Sequence, residues 1–138
     1  MVYCGLGRSE LRVSRVIFGA MALASAGHDS KQRIGTIQAA IDAGITTIDT
    51  APLYEYGRAE ELLDRALAGR RERVQILTKV GLRWDDPLGH LLYRFRDAQG
   101  REQAVRRNSR PGSIRHFFSH LWVHLQLIQF CFRKQKAC

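Results

Sequence analysis

The sequence predicts an α/β fold built on a parallel sheet, and three observations carry that prediction. An apolar run of strand length falls at residues 16–21, and runs rich in β-branched residues fall at residues 45–49 and 74–78. Two segments of helical length, with apolar residues at helical spacing, separate these runs. Parallel strands need crossover connections of this kind, whereas antiparallel strands can be joined by short turns. The order strand, helix, strand, helix, strand is therefore typical of consecutive βα units.

The N-terminal residues predict a hairpin and then a first strand. Residues 2–14 alternate between apolar and polar on either side of a turn at residues 7–10, which is typical of a hairpin. Residues 16–21 are apolar without interruption, a pattern that indicates a strand buried on both faces. Gly19 lies near the end of this strand, where the lack of a side chain would let a ligand or another backbone come close.

Both predicted helices have recognisable ends. Asp29 or Ser30 is the expected N-cap of the first helix, and Gly44 is expected to end it. The second helix is expected over residues 58–68, with Gly69 beyond its end. The apolar residues expected to face the core are Ile34, Ile37 and Ile41 in the first helix and Leu62, Leu63, Ala66 and Leu67 in the second.

The chain becomes polar after Leu82 and apolar again near its end. Residues 82–110 predict a long connection that contains a small hairpin, because apolar and polar residues alternate around Tyr93. Pro111 suits the first position of a third helix. Residues 117–132 are apolar nearly all round, but the segment is too short and too often interrupted by His and Gln to span a bilayer.

Positive charge is concentrated in the second half of the chain. The net charge of the 138 residues is +9, of which residues 1–82 contribute +2 and residues 83–138 contribute +7. Such a skew is compatible with nucleic acid or an anionic surface as a partner. No aromatic and basic pattern of a known nucleic-acid module accompanies the charge, so we expect a disordered basic tail rather than a nucleic-acid interface.

Cysteine usage and the N-terminus indicate the cytoplasm. The three cysteines, Cys4, Cys131 and Cys138, show neither the paired spacing of a zinc site nor that of a redox motif, which fits a protein kept reduced. Met1 is followed by neither a basic segment nor a long apolar run, so no secretory signal is predicted. We therefore expect a cytoplasmic protein.

The predicted strands bring three ionisable residues to one edge of the sheet. Asp49 and Lys79 stand at the carboxyl ends of the second and third strands, where parallel α/β proteins place their active sites. Tyr54 follows closely enough to lean back over the same edge. A carboxylate, an ammonium and a phenol in contact can deliver a proton. Spacing alone leaves open the alternative of a buried structural ion pair beside a tyrosine that merely packs.

The residues around this edge also resemble a known family. Residues 44–54 (GITTIDTAPLY), 56–63 (YGRAEELL) and 78–81 (TKVG), in this order and spacing, resemble the N-terminal third of the aldo-keto reductases. The resemblance covers residues 3–116 and implies a partial (β/α)8 TIM barrel, made of an N-terminal hairpin and the first three βα units. A complete barrel needs about 250 residues. Residues 117–138 are identified as a non-family tail, disordered or irregularly helical.

The resemblance implies a reaction. Aldo-keto reductases reduce a carbonyl with hydride from a nicotinamide cofactor, at a cluster of Asp, Tyr, Lys and His. The matching positions are Asp49, Tyr54 and Lys79, while the His has no counterpart in this chain. Tyr54 would protonate the substrate oxygen. A phenol, whose pKa is ordinarily near 10, needs a neighbouring cation for this task, and Lys79 would supply it. Asp49 would hold Lys79 charged and in place.

The resemblance implies NADP(H) as cofactor and a carbonyl compound, an aldehyde or an aldose, as substrate. The sequence has no Gly-x-Gly-x-x-Gly motif between a strand and a helix, so a Rossmann domain is not indicated. The family binds its cofactor mostly through later strands, which leaves Gly19, Met21 and Asp49 to contact the nicotinamide end. We therefore expect the chain alone to bind no cofactor, to be inactive and to self-associate through open sheet edges.

Two further functions stay open from the sequence. The chain could be a non-enzymatic basic fragment that binds nucleic acid or a protein partner, or a half barrel that a second chain completes. His116, His120 and His124 recur at a spacing that would align three imidazoles on one helix face, as in some metal sites. No fourth ligand is evident, so chance is the favoured explanation and no metal site is predicted.

Overall fold

The computed structural model describes residues 1–24, 29–97 and 99–125. These residues form an N-terminal hairpin, a three-stranded parallel sheet, a three-stranded antiparallel sheet and three α-helices. None of the described helices is long and apolar enough to cross a membrane. The parallel sheet and the helices that connect its strands position the candidate site.

The hairpin is docked at the amino end of the parallel sheet. Its strands, β1 (Tyr3–Gly5) and β2 (Arg12–Ser14), pair antiparallel, as predicted. The turn passes through Gly7, whose φ of 57° lies in the left-handed region that favours glycine. The side chain of Ser14 accepts a hydrogen bond of 3.1 Å from the N–H of Thr46, and the Thr46 hydroxyl accepts one of 3.1 Å from the N–H of Ser14. These two bonds join the hairpin to Thr46, one residue before the strand at Thr47–Asp49 begins.

The parallel sheet consists of β3 (Phe18–Gly19), β4 (Thr47–Asp49) and β5 (Gln75–Leu77), in that spatial order. Gly19 is paired with Asp49, and Asp49 is paired with Leu77. The carboxyl ends of the three strands therefore form one edge. This arrangement confirms the predicted α/β fold with parallel, adjacent strands.

The first parallel strand is shorter and less buried than predicted. Within residues 16–21 only β3 pairs with β4, and a 3-10 helix (Ala20–Ala24) follows at once. Val16, Ile17 and Met21 are 56%, 45% and 67% exposed. The prediction of a strand buried on both faces is wrong for these residues. Burial on both faces requires a covering layer, and the described residues supply none over Val16 and Ile17.

The two crossover helices begin and end close to where the sequence predicts. α1 (Ser30–Asp42) is capped by Asp29, whose Oδ1 accepts a hydrogen bond of 2.7 Å from the backbone N–H three residues ahead. α2 (Arg58–Leu67) begins after Gly57, which caps it without a side-chain hydrogen bond. Shortly after each helix the chain passes through a left-handed glycine, Gly44 after α1 and Gly69 after α2.

The hydrophobic core lies between these helices and the parallel sheet. Ile37 of α1, Ile48 of β4 and Leu63 of α2 are its largest fully buried apolar side chains. Burying a side chain of this size stabilises the fold by about 1.5–3 kcal/mol, so this packing is the main force that holds the βα units together. The other buried members of the cluster are Ala20, Leu23, Ile41, Ala66, Leu67, Val74 and Phe117.

The segment after β5 forms a second sheet and a third helix. β6 (Leu82–Arg83), β7 (His90–Arg96) and β8 (Glu102–Arg107) are antiparallel, in the spatial order β6-β8-β7. β7 and β8 form the small hairpin that the sequence predicts, with a register irregularity in β7 that interrupts the simple alternation. α3 (Pro111–Leu125) begins at the predicted proline.

α3 runs through the position at which the non-family tail is predicted to begin. The helix continues from residue 116 to 117 without a break, and Phe117 packs into the core. Residues 126–138 of the tail, with Cys131 and Cys138, lie outside the described residues. The side chains of His120 and His124 also lie outside them, so the histidine stripe stays a prediction. Within the described part of the chain, no group of three potential ligands could hold a metal ion, and Cys4 is a free, exposed thiol.

Candidate active site

Asp49, Tyr54 and Lys79 meet at the carboxyl edge of the parallel sheet. Lys79 Nζ donates hydrogen bonds to both carboxylate oxygens of Asp49, at 2.8 and 2.9 Å. It also donates to the hydroxyl of Tyr54 at 3.1 Å and to the backbone oxygen of Thr50 at 3.0 Å. The ammonium lies 5.0 Å from the centroid of the Tyr54 ring, within the range of a cation–π contact. The structure thus brings together the three residues that the sequence assigns to one site.

The sheet register explains why Asp49 and Lys79 meet. Asp49 is the last residue of β4 and is paired with Leu77, the last residue of β5. Lys79 follows Leu77 by two residues, so its long side chain extends back across the edge to the carboxylate of the neighbouring strand. Two parallel strands that end level with each other are sufficient to create this contact.

The cluster is open to solvent rather than buried. The side chains of Lys79 and Asp49 are 52% and 38% exposed. The burial that the structural alternative assumed is therefore wrong, whereas the choice between a structural and a catalytic ion pair stays a prediction. An exposed ion pair contributes about 0–1 kcal/mol to stability, far less than the core beneath it. A cluster with so little effect on stability is compatible with a chemical role.

Lys79 is protonated at neutral pH. Desolvation is the largest single influence on its pKa and lowers it, but the hydrogen bonds to Asp49 and Tyr54, with the attraction of their charges, outweigh it and raise the pKa of Lys79 above its ordinary value. A positive charge therefore stands 3.1 Å from the phenolic oxygen. Such a charge stabilises the negative charge that develops on this oxygen when the proton leaves.

A strained loop presents the Tyr54 hydroxyl to Lys79. Tyr54 begins a short 3-10 segment (Tyr54–Gly57) in which Glu55 and Tyr56 have φ values of 49° and 54°. The left-handed region is uncommon for residues other than glycine, and each such residue costs about 1–2 kcal/mol. Strained backbone of this kind is concentrated at functional sites, where the surrounding structure holds it in place.

Two contacts from distant parts of the chain hold this loop. Arg33 of α1 forms a 3.2 Å salt bridge with Glu55, and both side chains are less than 20% exposed. The ring of Tyr56 stacks on Phe95 of β7, with centroids 3.9 Å apart and planes within 4°. Sequence analysis missed these residues as parts of the site. Their partners lie 22 and 39 positions away along the chain, and no local pattern marks them.

The predicted cofactor contacts lie on the same edge. Gly19 is paired with Asp49, and a side-chain carbon placed on Gly19 would meet no atom within 4 Å, so the backbone faces open space there. Met21 follows in the 3-10 helix and is 67% exposed. A small cavity of about 110 Å³, lined mainly by apolar groups, adjoins Tyr54 and Lys79. The edge thus offers room and a largely apolar surface beside Tyr54.

Comparison with known proteins identifies the family of this arrangement. The model of the aldo/keto reductase family matches residues 15–123, which include residues 117–123 of the predicted tail. The aldo-keto reductase YhdN of Bacillus subtilis is 39% identical over 89 residues, which cover 61% of this chain and 27% of that protein. The chain therefore spans about a quarter of the length of this curated relative.

Solved structures show the same fold. The glycerol dehydrogenase AKR11B4 of Gluconobacter oxydans superposes with a TM-score of 0.71 and 33% identity, over 91% of this chain and 36% of that chain. The holo form of the aldo-keto reductase AKR11C1 of Bacillus halodurans gives 0.71 and 30%, over 91% and 37%. These neighbours are (β/α)8 barrels, so the hairpin and three βα units are part of such a barrel, as predicted. This chain belongs to the aldo/keto reductase family.

Proposed function

We propose that this chain supplies the proton-donor part of an NADP(H)-dependent site that interconverts an aldehyde or aldose carbonyl and the corresponding alcohol. One observation carries the proposal: a single ammonium, Lys79 Nζ, lies within hydrogen-bond distance of both the Asp49 carboxylate and the Tyr54 hydroxyl. The family assignment supports an oxidoreductase activity. The chain spans a minor part of its relatives, so the activity proposed is that of the complete barrel.

Each residue of the cluster has a distinct role in this proposal. The reduced nicotinamide, when bound, supplies a hydride to the carbonyl carbon. Tyr54 donates its proton to the carbonyl oxygen, which thereby becomes the hydroxyl of the alcohol. Lys79 stabilises the phenolate that remains on Tyr54, and Asp49 keeps Lys79 charged and directed at the phenolic oxygen. In the reverse direction the phenolate accepts the proton of the alcohol.

We propose that Gly19, Met21 and Asp49 contact the nicotinamide end of the cofactor. Gly19 leaves open space beside Asp49, and Met21 adds an exposed apolar side chain. We propose that the remaining part of the barrel holds the rest of NADP(H), as the family resemblance implies. Holding the cofactor against the substrate supplies about 7–11 kcal/mol of barrier reduction. Without it, this chain alone is not expected to turn over any carbonyl compound.

Assays of the isolated chain test the proposed inactivity. NADPH is titrated by fluorescence, and oxidation of NADPH is then followed with a panel of aldehydes and aldoses. We expect no rate above background. Micromolar binding of NADPH together with turnover that Tyr54→Phe abolishes would show that the chain is active without the rest of a barrel.

A chimera tests the role of the cluster itself. Residues 1–116 of this chain replace the structurally matching segment of the Gluconobacter glycerol dehydrogenase, and oxidation of glycerol is measured with NADP⁺. We expect Tyr54→Phe to lower kcat by about 10²–10⁴-fold, the usual contribution of a general acid or base. Tyr93→Phe, at an exposed tyrosine of β7, is the matched control and should change kcat less than twofold. Equal rates in the two variants of a folded chimera would contradict the role of Tyr54.

The alternative of a basic binding fragment has weaker support. Arg94 and Arg101 of the β7–β8 region form salt bridges with Glu102 and Asp97 at 2.6 and 2.8 Å. These pairs engage two of the basic side chains that the sequence concentrates after residue 83. Recognition of nucleic acid depends on basic side chains that are available to phosphates. The described part of this region therefore favours a solvated hairpin surface.

A further inference from the structure

A second cavity, of about 190 Å³, lies between the first turn of α2, the segment at residues 83–85 and α3. Asp49, Tyr54 and Lys79 do not line it, and Pro52 is the one residue it shares with the cavity beside Tyr54. Its walls combine aromatic rings with carboxyl groups. Tyr56 and Trp84 are among the rings, and Glu60, Glu61, Arg83, Asp85 and His116 are the other ionisable residues of the lining.

Glu60 gives this cavity a half-buried carboxyl group that forms no salt bridge with the residues that the structure describes. The side chain is half-buried, and its Oε1 accepts one hydrogen bond, of 3.3 Å, from the hydroxyl of Thr78. Glu60 Oε2 has no hydrogen-bond partner among the residues that the structure describes. Burial raises the pKa of Glu60 to about 7, and the hydrogen bond from Thr78 offsets only part of this effect. A carboxylate in this position gains most from a cation that reaches its free oxygen.

Among the residues that the structure describes, no basic side chain forms a salt bridge with Glu60. Arg83 is nearly buried, but its Nε and Nη2 donate to the two oxygens of Asp85 at 2.6 and 2.7 Å, and its Nη1 lies 3.4 Å from two oxygens of Ser113. Arg83 is therefore committed to Asp85 and Ser113. Glu61, in the same turn of α2, adds a further negative charge. An anionic ligand would meet these carboxylates, so the cavity selects for a cation.

The aromatic wall fits the rest of such a ligand. The rings of Tyr56 and Trp84 meet edge to face, with centroids 6.1 Å apart and planes at 65°. Aromatic faces attract both apolar rings and ammonium groups. A buried apolar cavity of about 150 Å³ is known to accommodate benzene, so about 190 Å³ suits a single ring with a short substituent.

We propose that this cavity binds a small primary amine with an apolar body about one ring in size. The ammonium contacts the carboxylate of Glu60, and the ring lies against Tyr56 and Trp84. The site is separate from the Tyr54 cluster, performs no chemistry, and does not depend on the proposed reductase function. Benzylamine is the simplest probe with these properties, and benzyl alcohol has the same shape without the charge.

Calorimetric titration of the folded chain at pH 8 tests the proposal. We expect benzylamine to bind with a Kd on the order of 1 mM or below, a range typical of ligands of this size, and benzyl alcohol to bind at least tenfold more weakly. Glu60→Gln keeps the shape of the side chain and should weaken benzylamine binding about ten- to a hundredfold, the effect of losing a charge-assisted hydrogen bond. Trp84→Leu should weaken it about fivefold.

Glu72→Gln is the charge-matched control, because Glu72 is exposed and lies outside the lining of the cavity. It should leave the Kd within twofold of the unaltered chain. Circular dichroism confirms that each variant is folded before titration. The proposal is overturned by equal affinities for benzylamine and benzyl alcohol, by equal effects of Glu60→Gln and Glu72→Gln, or by the absence of binding at 10 mM benzylamine.

Discussion

The half-buried carboxyl of Glu60 should make the stability of this chain depend on pH in an unusual direction. Its pKa in the folded chain is about 7, against an ordinary value of 4.5, because burial penalises the charged form. Between these two pH values the folded chain binds more protons than the unfolded chain, so stability falls as pH rises. The contribution of protonated Glu60 is complete below pH 4.5 and is lost by the time the pH passes 7.

The size of the effect follows from the pKa difference. Each pKa unit corresponds to 1.36 kcal/mol, so the change from 4.5 to about 7 sets an upper limit of roughly 3 kcal/mol. Partial exposure to solvent reduces this to about 1–3 kcal/mol. Glu60→Gln removes the titrating group while keeping its shape. The advantage of the variant over the unaltered chain should therefore grow with pH, from less than about 1 kcal/mol at pH 5 to about 1–3 kcal/mol at pH 8.

Urea unfolding at pH 5, 6, 7 and 8 measures the difference, with all samples at one protein concentration because association also stabilises. Glu61→Gln changes an exposed carboxyl in the same turn of α2 and serves as the matched control. Arg83, Asp85 and His116 line the same cavity, and His116→Gln is a second control because it removes another ionisable side chain from that lining. If Glu60→Gln and Glu61→Gln give the same pH profile, the burial argument for Glu60 is wrong.

Three further predictions concern the core, the cluster and the open edge. Leu63→Ala should lower the free energy of unfolding by about 2–5 kcal/mol in urea titrations, because Leu63 is fully buried. The control Leu88→Ala, at a side chain that is 56% exposed, should change it by less than about 0.5 kcal/mol. Asp49→Asn should lower the pKa of Lys79 more than Tyr54→Phe does. NMR of labelled lysine measures this pKa, with Lys31 as internal reference. An unchanged Lys79 pKa in both variants would contradict the hydrogen-bonded cluster. The unaltered chain should self-associate through its exposed apolar edge. Ile17→Lys should reduce the mass of the particles in light scattering more than Leu88→Lys does. A monodisperse monomer of the unaltered chain would refute this prediction.

The parts of the fold that sequence analysis predicted are those encoded by local chemistry. Asp29 caps α1 because a short carboxylate can satisfy a free N–H at a helix start, and this property needs no tertiary context. Ile37 and Leu63 recur at helical spacing with their neighbours, so their inward faces could be predicted and are confirmed. The meeting of Asp49 and Lys79 was equally predictable, because adjacent parallel strands that are joined by one helix end at the same edge.

The parts that could not be predicted depend on contacts between distant residues. Val16 and Ile17 have the sequence of a buried strand, yet their exposure is decided by which layers cover them. Tyr56 adopts a left-handed backbone that its own sequence does not favour, and the stacked ring of Phe95 comes from the antiparallel hairpin. In the sequence, Glu60 is an ordinary acidic residue in the first turn of a helix. Its burial arises only when residues 83–85 and α3 pack against α2.

The geometry of the Tyr54 cluster and the dielectric environment around it are set by different features of the structure. The geometry needs only β4, β5 and the loop after β4, and it places Lys79 Nζ 3.1 Å from the Tyr54 hydroxyl and 2.8 Å from Asp49. The environment depends on burial, and Lys79 is 52% exposed. Two unit charges about 4 Å apart interact by about 1 kcal/mol in water and by about 4 kcal/mol at the effective dielectric of a protein surface. A layer that excludes water from this edge would therefore strengthen the action of Lys79 on Tyr54 without moving Asp49, Tyr54 or Lys79. If the proposed role of Tyr54 is right, activity in a complete barrel is accordingly expected to depend on what covers the edge, because Asp49, Tyr54 and Lys79 are already in hydrogen-bond contact.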